Sequence, residues 1–250
     1  AFRWRKERGH GKLQAIPHPH RVAIGDLLCL EHQRAEIERN TRQFLAGRSA
    51  NNVLLWGSWG SGKSSLVKAL FNELRGHGLR LIEVDKDDLL DLPDILELVR
   101  YRSERFLVFC DDLSFEANET GYKALKAALE GSISAAPDNL LIYATSNRRH
   151  LMPEFQRENR EARLVDGEIH QGESVEEKIS LSDRFGLWIA FHPFTQAQYL
   201  AVAHHWLRRL GVAAGDQEEI ERAALQWALR RGSRSGRTAW QFARDWAGRT

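Results

Sequence analysis

Gly57-Ser58-Trp59-Gly60-Ser61-Gly62-Lys63-Ser64 is the stretch that decides the fold. Its glycines, lysine and hydroxyl residue stand at the offsets of a phosphate-binding loop. Val53-Leu54-Leu55-Trp56 before it reads as a buried strand, and Ser65-Leu66-Val67-Lys68-Ala69-Leu70-Phe71 after it reads as a helix with an apolar face. Glycines at 57, 60 and 62 adopt backbone angles that other residues avoid, and they let main-chain N–H groups approach phosphate oxygens. The loop opens a helix N-terminus, whose free N–H groups and positive dipole favour anions. Lys63 supplies a point charge for the β- and γ-phosphates, and the Ser64 hydroxyl suits one site on Mg²⁺. A glycine-rich turn that caps a helix is the plainer alternative, but it needs neither Lys63 nor Ser64 at those offsets.

Outward from the loop, short apolar runs alternate with helical patterns. Strands are expected at 52–56, Leu79–Asp85, Phe106–Asp111, Leu140–Thr145 and Leu187–Phe191, and helices at 26–46, 63–75, 93–100 and 121–131. Continuous apolar runs of this length suit a parallel sheet covered on both faces, so the fold class is α/β with a five-stranded parallel sheet between helices. Such a sheet binds nucleotide at the carboxyl ends of its strands. After Pro193, Thr195–Leu210, Asp216–Arg231 and Gly236–Trp246 read as three helices with no strand between them. This divides the chain into an extended arm (1–22), an α/β core (23–194) and a small helical lid (195–250). Residues 151–180 carry many charges and little periodicity, and a loop that long is usually functional. Trp206, Trp227, Trp240 and Trp246 fall at helical spacing and are expected in the core of the helical appendage.

Composition bounds the rest. The 250 residues are 42% hydrophobic and 28% charged, with a net charge of +2, which is globular and points neither to nor away from nucleic acid. No apolar run is long enough to span a membrane. The basic start (Arg3, Arg5, Lys6, Arg8) lacks the apolar stretch of a secretory signal. Two cysteines, Cys29 and Cys110, in apolar surroundings suggest free thiols in a reducing, cytoplasmic setting. His10, His18 and His20 have no Cys or carboxylate nearby in sequence, so a solvated arm is favoured over a metal site.

Further pieces of a nucleotide site follow in order. Phe106-Leu107-Val108-Phe109-Cys110-Asp111-Asp112 is an apolar strand that ends in two acids, with Asp111 placed for Mg²⁺ and Asp112 for the attacking water. Strand-end acids are also turn signals. Leu140–Thr145 runs into Ser146 and Asn147, and Asn147 is placed to sit by the γ-phosphate, although Asn also favours turns. In Leu181-Ser182-Asp183-Arg184-Phe185-Gly186, Arg184 suits an arginine finger acting on a neighbouring subunit, or else a surface salt bridge. Gly232-Ser233-Arg234-Ser235-Gly236-Arg237 opens the last helix, and Arg237 can fold back onto the phosphates, with Arg234 its nearest competitor.

These elements in this order resemble the AAA+ ATPase superfamily over roughly residues 24–247. Asn51–Gly57, Ile82–Leu89, Tyr143–Glu154, Val175–Gly186 and Gly232–Arg237 resemble, more closely, the bacterial family known as domain of unknown function 815. The resemblance implies an AAA+ P-loop NTPase core with a helical lid. It implies that Gly57–Ser64 is Walker A and Phe106–Asp112 Walker B, that Asn147 is sensor 1, and that Arg184 is the arginine finger. Phosphate contacts would then come from Trp59, Gly60, Ser61, Gly62, Lys63, Ser64, Ser65 and Arg237 (sensor 2), and Mg²⁺ contacts from Ser64 and Asp111. Leu28 and Cys29 occupy the adenine-contacting box. Two departures stand out: Asp112 replaces the usual Glu, with Glu116 four residues on, and Cys29 stands about where many members have Gly.

The leading expectation is hydrolysis of Mg·ATP at the interface of a homo-oligomer, ring or helical, that acts on a protein client. The alternative is a nucleotide-dependent binding module with slow hydrolysis. DNA association is a third possibility, raised by Arg148-Arg149-His150 and by Arg230, Arg231 and Arg234, although no helix-turn-helix signature accompanies them.

Overall fold

The computed structural model describes residues 1–7, 10–115, 121–130, 137–149, 151, 163–165, 168–170, 181–212 and 216–249. The strands are β1 (Phe2–Glu7), β2 (His10–Ala15), β3 (Val53–Gly57), β4 (Leu79–Glu83), β5 (Arg105–Cys110), β6 (Leu140–Ser146), β7 (Arg163–Val165), β8 (Glu168–His170) and β9 (Leu187–Phe191). The helices are α1 (Glu31–Leu45), α2 (Lys63–Leu74), α3 (Leu92–Val99), α4 (Gly121–Glu130), α5 (Gln196–Arg209), α6 (Gln217–Arg231) and α7 (Gly236–Ala247).

The five expected strands form a parallel sheet in the order β4-β5-β6-β3-β9. Adjacent residues of β3 point to opposite faces. Val53 and Leu55 enter one apolar cluster with α1, α2 and the C-terminal helices, while Leu54 enters another with α3, α4 and Phe185. Both faces are therefore dry, which is why these strands read as unbroken apolar runs. α5, α6 and α7 contribute Tyr199, Ala224 and Phe242 to the same cluster that holds Ile37 and Leu66.

A polar joint sets the entry to β3. The buried Tyr143 hydroxyl accepts from Asn40 Nδ2 at 3.0 Å and bonds Thr41 Oγ1 at 2.8 Å. Asn40 also donates to the Asn51 carbonyl at 2.9 Å, and Asn52 Oδ1 accepts the Ile142 N–H at 2.8 Å. Burial pushes the Tyr143 phenol up to about 12. The paired asparagines thus register the strand that carries the glycine loop.

Two expectations change. Among the described residues the sheet has seven strands, because Phe2–Glu7 pairs antiparallel with His10–Ala15 where an extended arm was expected. β1 lies parallel to β4 through Phe2↔Ile82 and Arg3↔Glu83. Trp4 is 2% exposed, and its Nε1–H donates to Asp91 Oδ2 at 2.8 Å. Gly11 faces the indole so closely that a Cβ there would stand 1.9 Å from Trp4 Cζ2. Lys6 pairs with Asp91 at 2.7 Å, and Arg3 pairs with Glu83. The positive charges of this arm are those of a strand docked on an acidic edge. The second change is at 26–30, where Asp26 closes a short 3-10 turn (Ile24–Asp26) and 27–30 are not helical. Cys29 takes a left-handed backbone (φ 62), and α1 starts only at Glu31.

Most of the expected 151–180 loop lies outside the described residues; within it, β7 and β8 pair antiparallel. Among the described residues no helix is long and apolar enough to cross a membrane, and Cys29 and Cys110 are free thiols.

Replacing Trp4 by Ala removes a buried indole and one of the two partners of Asp91, Lys6 being the other, at a cost of about 3–5 kcal/mol on the scale of large core truncations. Equilibrium denaturation of Trp4→Ala beside the wild type checks this. A loss below about 1 kcal/mol would show that the hairpin is not part of the cooperative fold.

Candidate functional site

The loop after β3 is shaped by close backbone approach. Gly57 has φ 129, and a Cβ on it would lie 2.0 Å from the Phe191 carbonyl oxygen of β9. That carbonyl accepts the Ser58 N–H at 3.0 Å. Gly60 (φ 69) leaves no room for a Cβ beside Ser235 Oγ and Arg237 Cβ, and its carbonyl accepts the Arg237 N–H at 3.2 Å. The start of α7 is therefore docked directly on the loop. Gly62 (φ 105) stands just before α2, against Leu30.

Lys63 opens α2 and is 6% exposed. Its ammonium donates to the carbonyls of Gly57 and Ser58, both at 2.8 Å, and to Asn147 Oδ1 at 2.9 Å. Asn147 Nδ2 in turn donates to Asp112 Oδ1. Next to this chain of bonds, Asp111 Oδ1 accepts from Ser64 Oγ at 2.5 Å and from Thr145 Oγ1 at 2.6 Å. Lys63, Asn147, Asp112, Asp111 and Ser64 are thus brought together, as the sequence predicts. Asp112 adopts a left-handed backbone (φ 54), a conformation that Asp tolerates better than most residues.

Desolvation lowers the Lys63 pKa to about 8; Asp112 and Asp111 oppose the shift, and Arg237 adds to it. The desolvated ammonium is held by two carbonyls and an amide oxygen, so an entering polyanion would favour its charged form.

A cavity of about 650 Å³ lies over this network. Trp59, Gly60, Ser61, Gly62, Ser64, Ser65, Asp111, Asp112, Thr145, Asn147 and Arg237 line it, as does Lys63. Leu28 lines it too, with Leu27 and Leu30. Cys29 and Gly57 do not. The left-handed turn at Cys29 directs its N–H to Glu31 Oε1 at 3.2 Å, so Cys29 is not part of the expected adenine wall. Arg184 also lies away from this cavity and forms an ion pair with Glu130 at the end of α4. Arg234 lines a second, smaller cavity of about 450 Å³ behind the loop. Glu116 and His150 lie outside the described residues.

Sequence reasoning missed three parts of the wall. His20, Arg21, Val22 and Ala23 of the segment after the hairpin line the cavity. Trp206 of α5 and Trp240 of α7 pack with their planes tilted by 60° at 4.6 Å between ring centroids and also line it, although their spacing suggested core positions. Thr145, the third, was read only as the end of a strand. Asp26 ties the segment before α1 to α5, pairing with His205 at 3.0 Å and with Arg209 at 3.3 Å. Arg149 lies over Trp56 at 5.6 Å and Arg231 over Trp227 at 5.4 Å, so both basic clusters contribute to ring packing.

Asp111 and Ser64 offer hard oxygen donors, which suit Mg²⁺, an ion that takes one or two protein ligands and keeps waters or phosphate oxygens. A carboxylate and a hydroxyl fit Mg²⁺ better than Zn²⁺, whose sites are built mainly from Cys and His.

A parallel sheet in this order, a glycine loop opening α2, strand-end acids and a C-terminal helix docked on the loop define an AAA+ P-loop fold. Across residues 1–250 the chain matches the family described as Protein of unknown function (DUF815), and it belongs to that family. Among solved structures it is similar to RuvB of Thermotoga maritima, the Holliday junction branch migration motor, with TM-score 0.57 and 16% identity over 90% of this chain and 63% of that one. Two point-mutant forms of the same RuvB are similar to it as well. One gives TM-score 0.59 at 16% identity over 90% of this chain and 63% of that one, and the other gives 0.58 at 15% over 90% and 64%. The chain therefore spans less than two thirds of those RuvB chains. No curated protein matches it.

The lowered Lys63 pKa has a definite sign in stability. Between about 8 and 10.5 the unfolded chain holds a proton on this lysine that the folded chain has released. Stability therefore rises with pH across that window, and the charge penalty is fully present below about 8. Relative to Lys63→Met, which cannot titrate, the wild type should gain about 1.5 kcal/mol between pH 8 and 9.5. Urea denaturation at the two pH values measures this difference; a constant offset between the two proteins would contradict it.

Proposed function

We propose that this chain binds Mg·ATP and hydrolyses its β–γ bond, and that the reaction drives a conformational change in a protein client. The observation that carries the reading is the continuous network Lys63–Asn147–Asp112 beside Ser64–Asp111–Thr145 on one wall of the cavity. It brings a lysine, an amide and two carboxylates to one end of the sheet, which supports their reading as phosphate-binding cation, water-orienting pair and metal ligand.

The glycine loop and Lys63 would bind the β- and γ-phosphates. Lys63 would exchange its bonds to the Gly57 and Ser58 carbonyls for bonds to phosphate oxygens. Mg²⁺ on Asp111 and Ser64 would neutralise charge on those oxygens. Asn147 already contacts both Lys63 and Asp112, so its amide can orient a water between the γ-phosphate and the Asp112 carboxylate. Asp112 would take up the proton of that water. Arg237, on the helix docked against Gly60, would add charge from the C-terminal side. Trp206, Trp240, Leu28 and residues 20–23 also line the cavity, where the base and ribose would exclude water. Residues 195–250 would act as a lid, joined to the base-side segment through Asp26 and His205.

Arg184 lies outside the cavity of its own chain. This supports a role in a neighbouring subunit's site, within a homo-oligomer built by head-to-tail contacts. Arg184→Ala is then expected to bind ATP as the wild type does and to lose turnover by about a thousandfold, the scale of arginine-finger loss. A hydrolysis assay read beside size measurement with and without Mg·ATP tests this. Full turnover in Arg184→Ala, independent of protein concentration, would overturn it.

A further inference from the structure

Thr145 lies on β6, one strand away from the acids, and is 1% exposed. Its hydroxyl proton goes to Asp111 Oδ1 at 2.6 Å. The same hydroxyl oxygen accepts the Asp112 N–H at 2.8 Å. Its carbonyl accepts the Leu113 N–H at 2.7 Å. Three successive residues just after β5 are thus tied to this one residue. Between those ties the backbone passes through the left-handed turn at Asp112.

A hydroxyl is the group this joint needs. It offers one donor and spare lone pairs on a single atom, so it can serve a carboxylate and an N–H together. Valine has the same shape and supplies neither. Asn147 holds the Asp112 side chain and Ser64 shares Asp111 Oδ1, yet neither bonds to both acids.

We propose that Thr145 is a positioning residue for the divalent metal and for the water-orienting acid. Its hydroxyl fixes the plane of the Asp111 carboxylate relative to Ser64, and through the Asp112 N–H it sets the turn that aims Asp112 at the cavity. This rests on the reading of Asp111 and Ser64 as metal ligands. A partner that orients a ligating carboxylate typically controls about ten- to a hundredfold in metal affinity.

The test compares wild type, Thr145→Val and Thr145→Ser, with Mn²⁺ as the probe. Free Mn²⁺ is followed by electron paramagnetic resonance in the presence of ADP, and ADP binding is measured separately in EDTA. Thr145→Val is expected to weaken Mn²⁺ binding about tenfold or more while changing metal-free ADP affinity less than about twofold, because the loop and Lys63 are untouched. Thr145→Ser restores both bonds and should stay close to the wild type. Thr145→Ala replaces the valine variant if that one does not fold. Mn²⁺ binding in Thr145→Val equal to wild type overturns the inference, as does an equal loss in the serine variant. A parallel fall in metal-free ADP affinity also overturns it, since that is what a merely structural role produces. A wild-type chain that binds ADP but no Mn²⁺ overturns the metal reading itself, and this inference with it.

Discussion

The close approach of the Gly57 backbone to the Phe191 carbonyl is the contact on which the rest of the structure depends. Any side chain at 57 would occupy the space of that oxygen. Because it is absent, β3 and β9 stay paired up to the point where the chain leaves the sheet, and Ser58 can donate to Phe191. Gly60 repeats the device against Ser235 and Arg237, which brings the last helix onto the loop. The same few residues therefore fix the loop, close the sheet and seat the C-terminal helices. A phosphate entering this loop would be felt by all three.

Electrostatics then divides the site into two coupled halves. On one side a desolvated lysine is held by carbonyls and an amide. On the other, two adjacent carboxylates are kept apart by different partners, Asp111 by hydroxyls and Asp112 by an amide. Asn147 touches both halves, so a change in the charge of Lys63 reaches Asp112 through one side chain. Residues 20–23 and 26–28, with the Trp206–Trp240 pair, line the cavity beyond these acids, and the Asp26–His205 contact joins them.

Much of this was legible in the sequence where a local pattern carries the chemistry. The glycine spacing, the apolar strands and the acids at the end of β5 are short-range signals, and each falls where expected. Arg237, expected near the phosphates because Gly232–Arg237 opens the last helix, lines the cavity. What escaped depends on contacts far apart in the chain. The hairpin was hidden because its cations, which pair with Glu83 and Asp91, look like those of a solvated arm. The alternation of Phe2 and Trp4 with Arg3 and Arg5 was the signal available. The turn at Cys29 was hidden inside a helical period. Trp206 packs against the core as its spacing suggests, yet it and Trp240 also line the cavity, because helical spacing cannot tell a core face from a cavity face. Thr145 was invisible because its partners lie more than thirty residues away in the chain.

In the proposed function Lys63, desolvated and held by two carbonyls and an amide oxygen, receives a nucleotide polyphosphate. Calorimetric titration of ATP at pH 8.5, in two buffers of different ionisation enthalpy, tests it most directly. With the free lysine at about 8, binding should take up a substantial fraction of one proton, and Lys63→Met should take up none. Binding with no buffer dependence, or equal uptake in the methionine variant, would contradict the account.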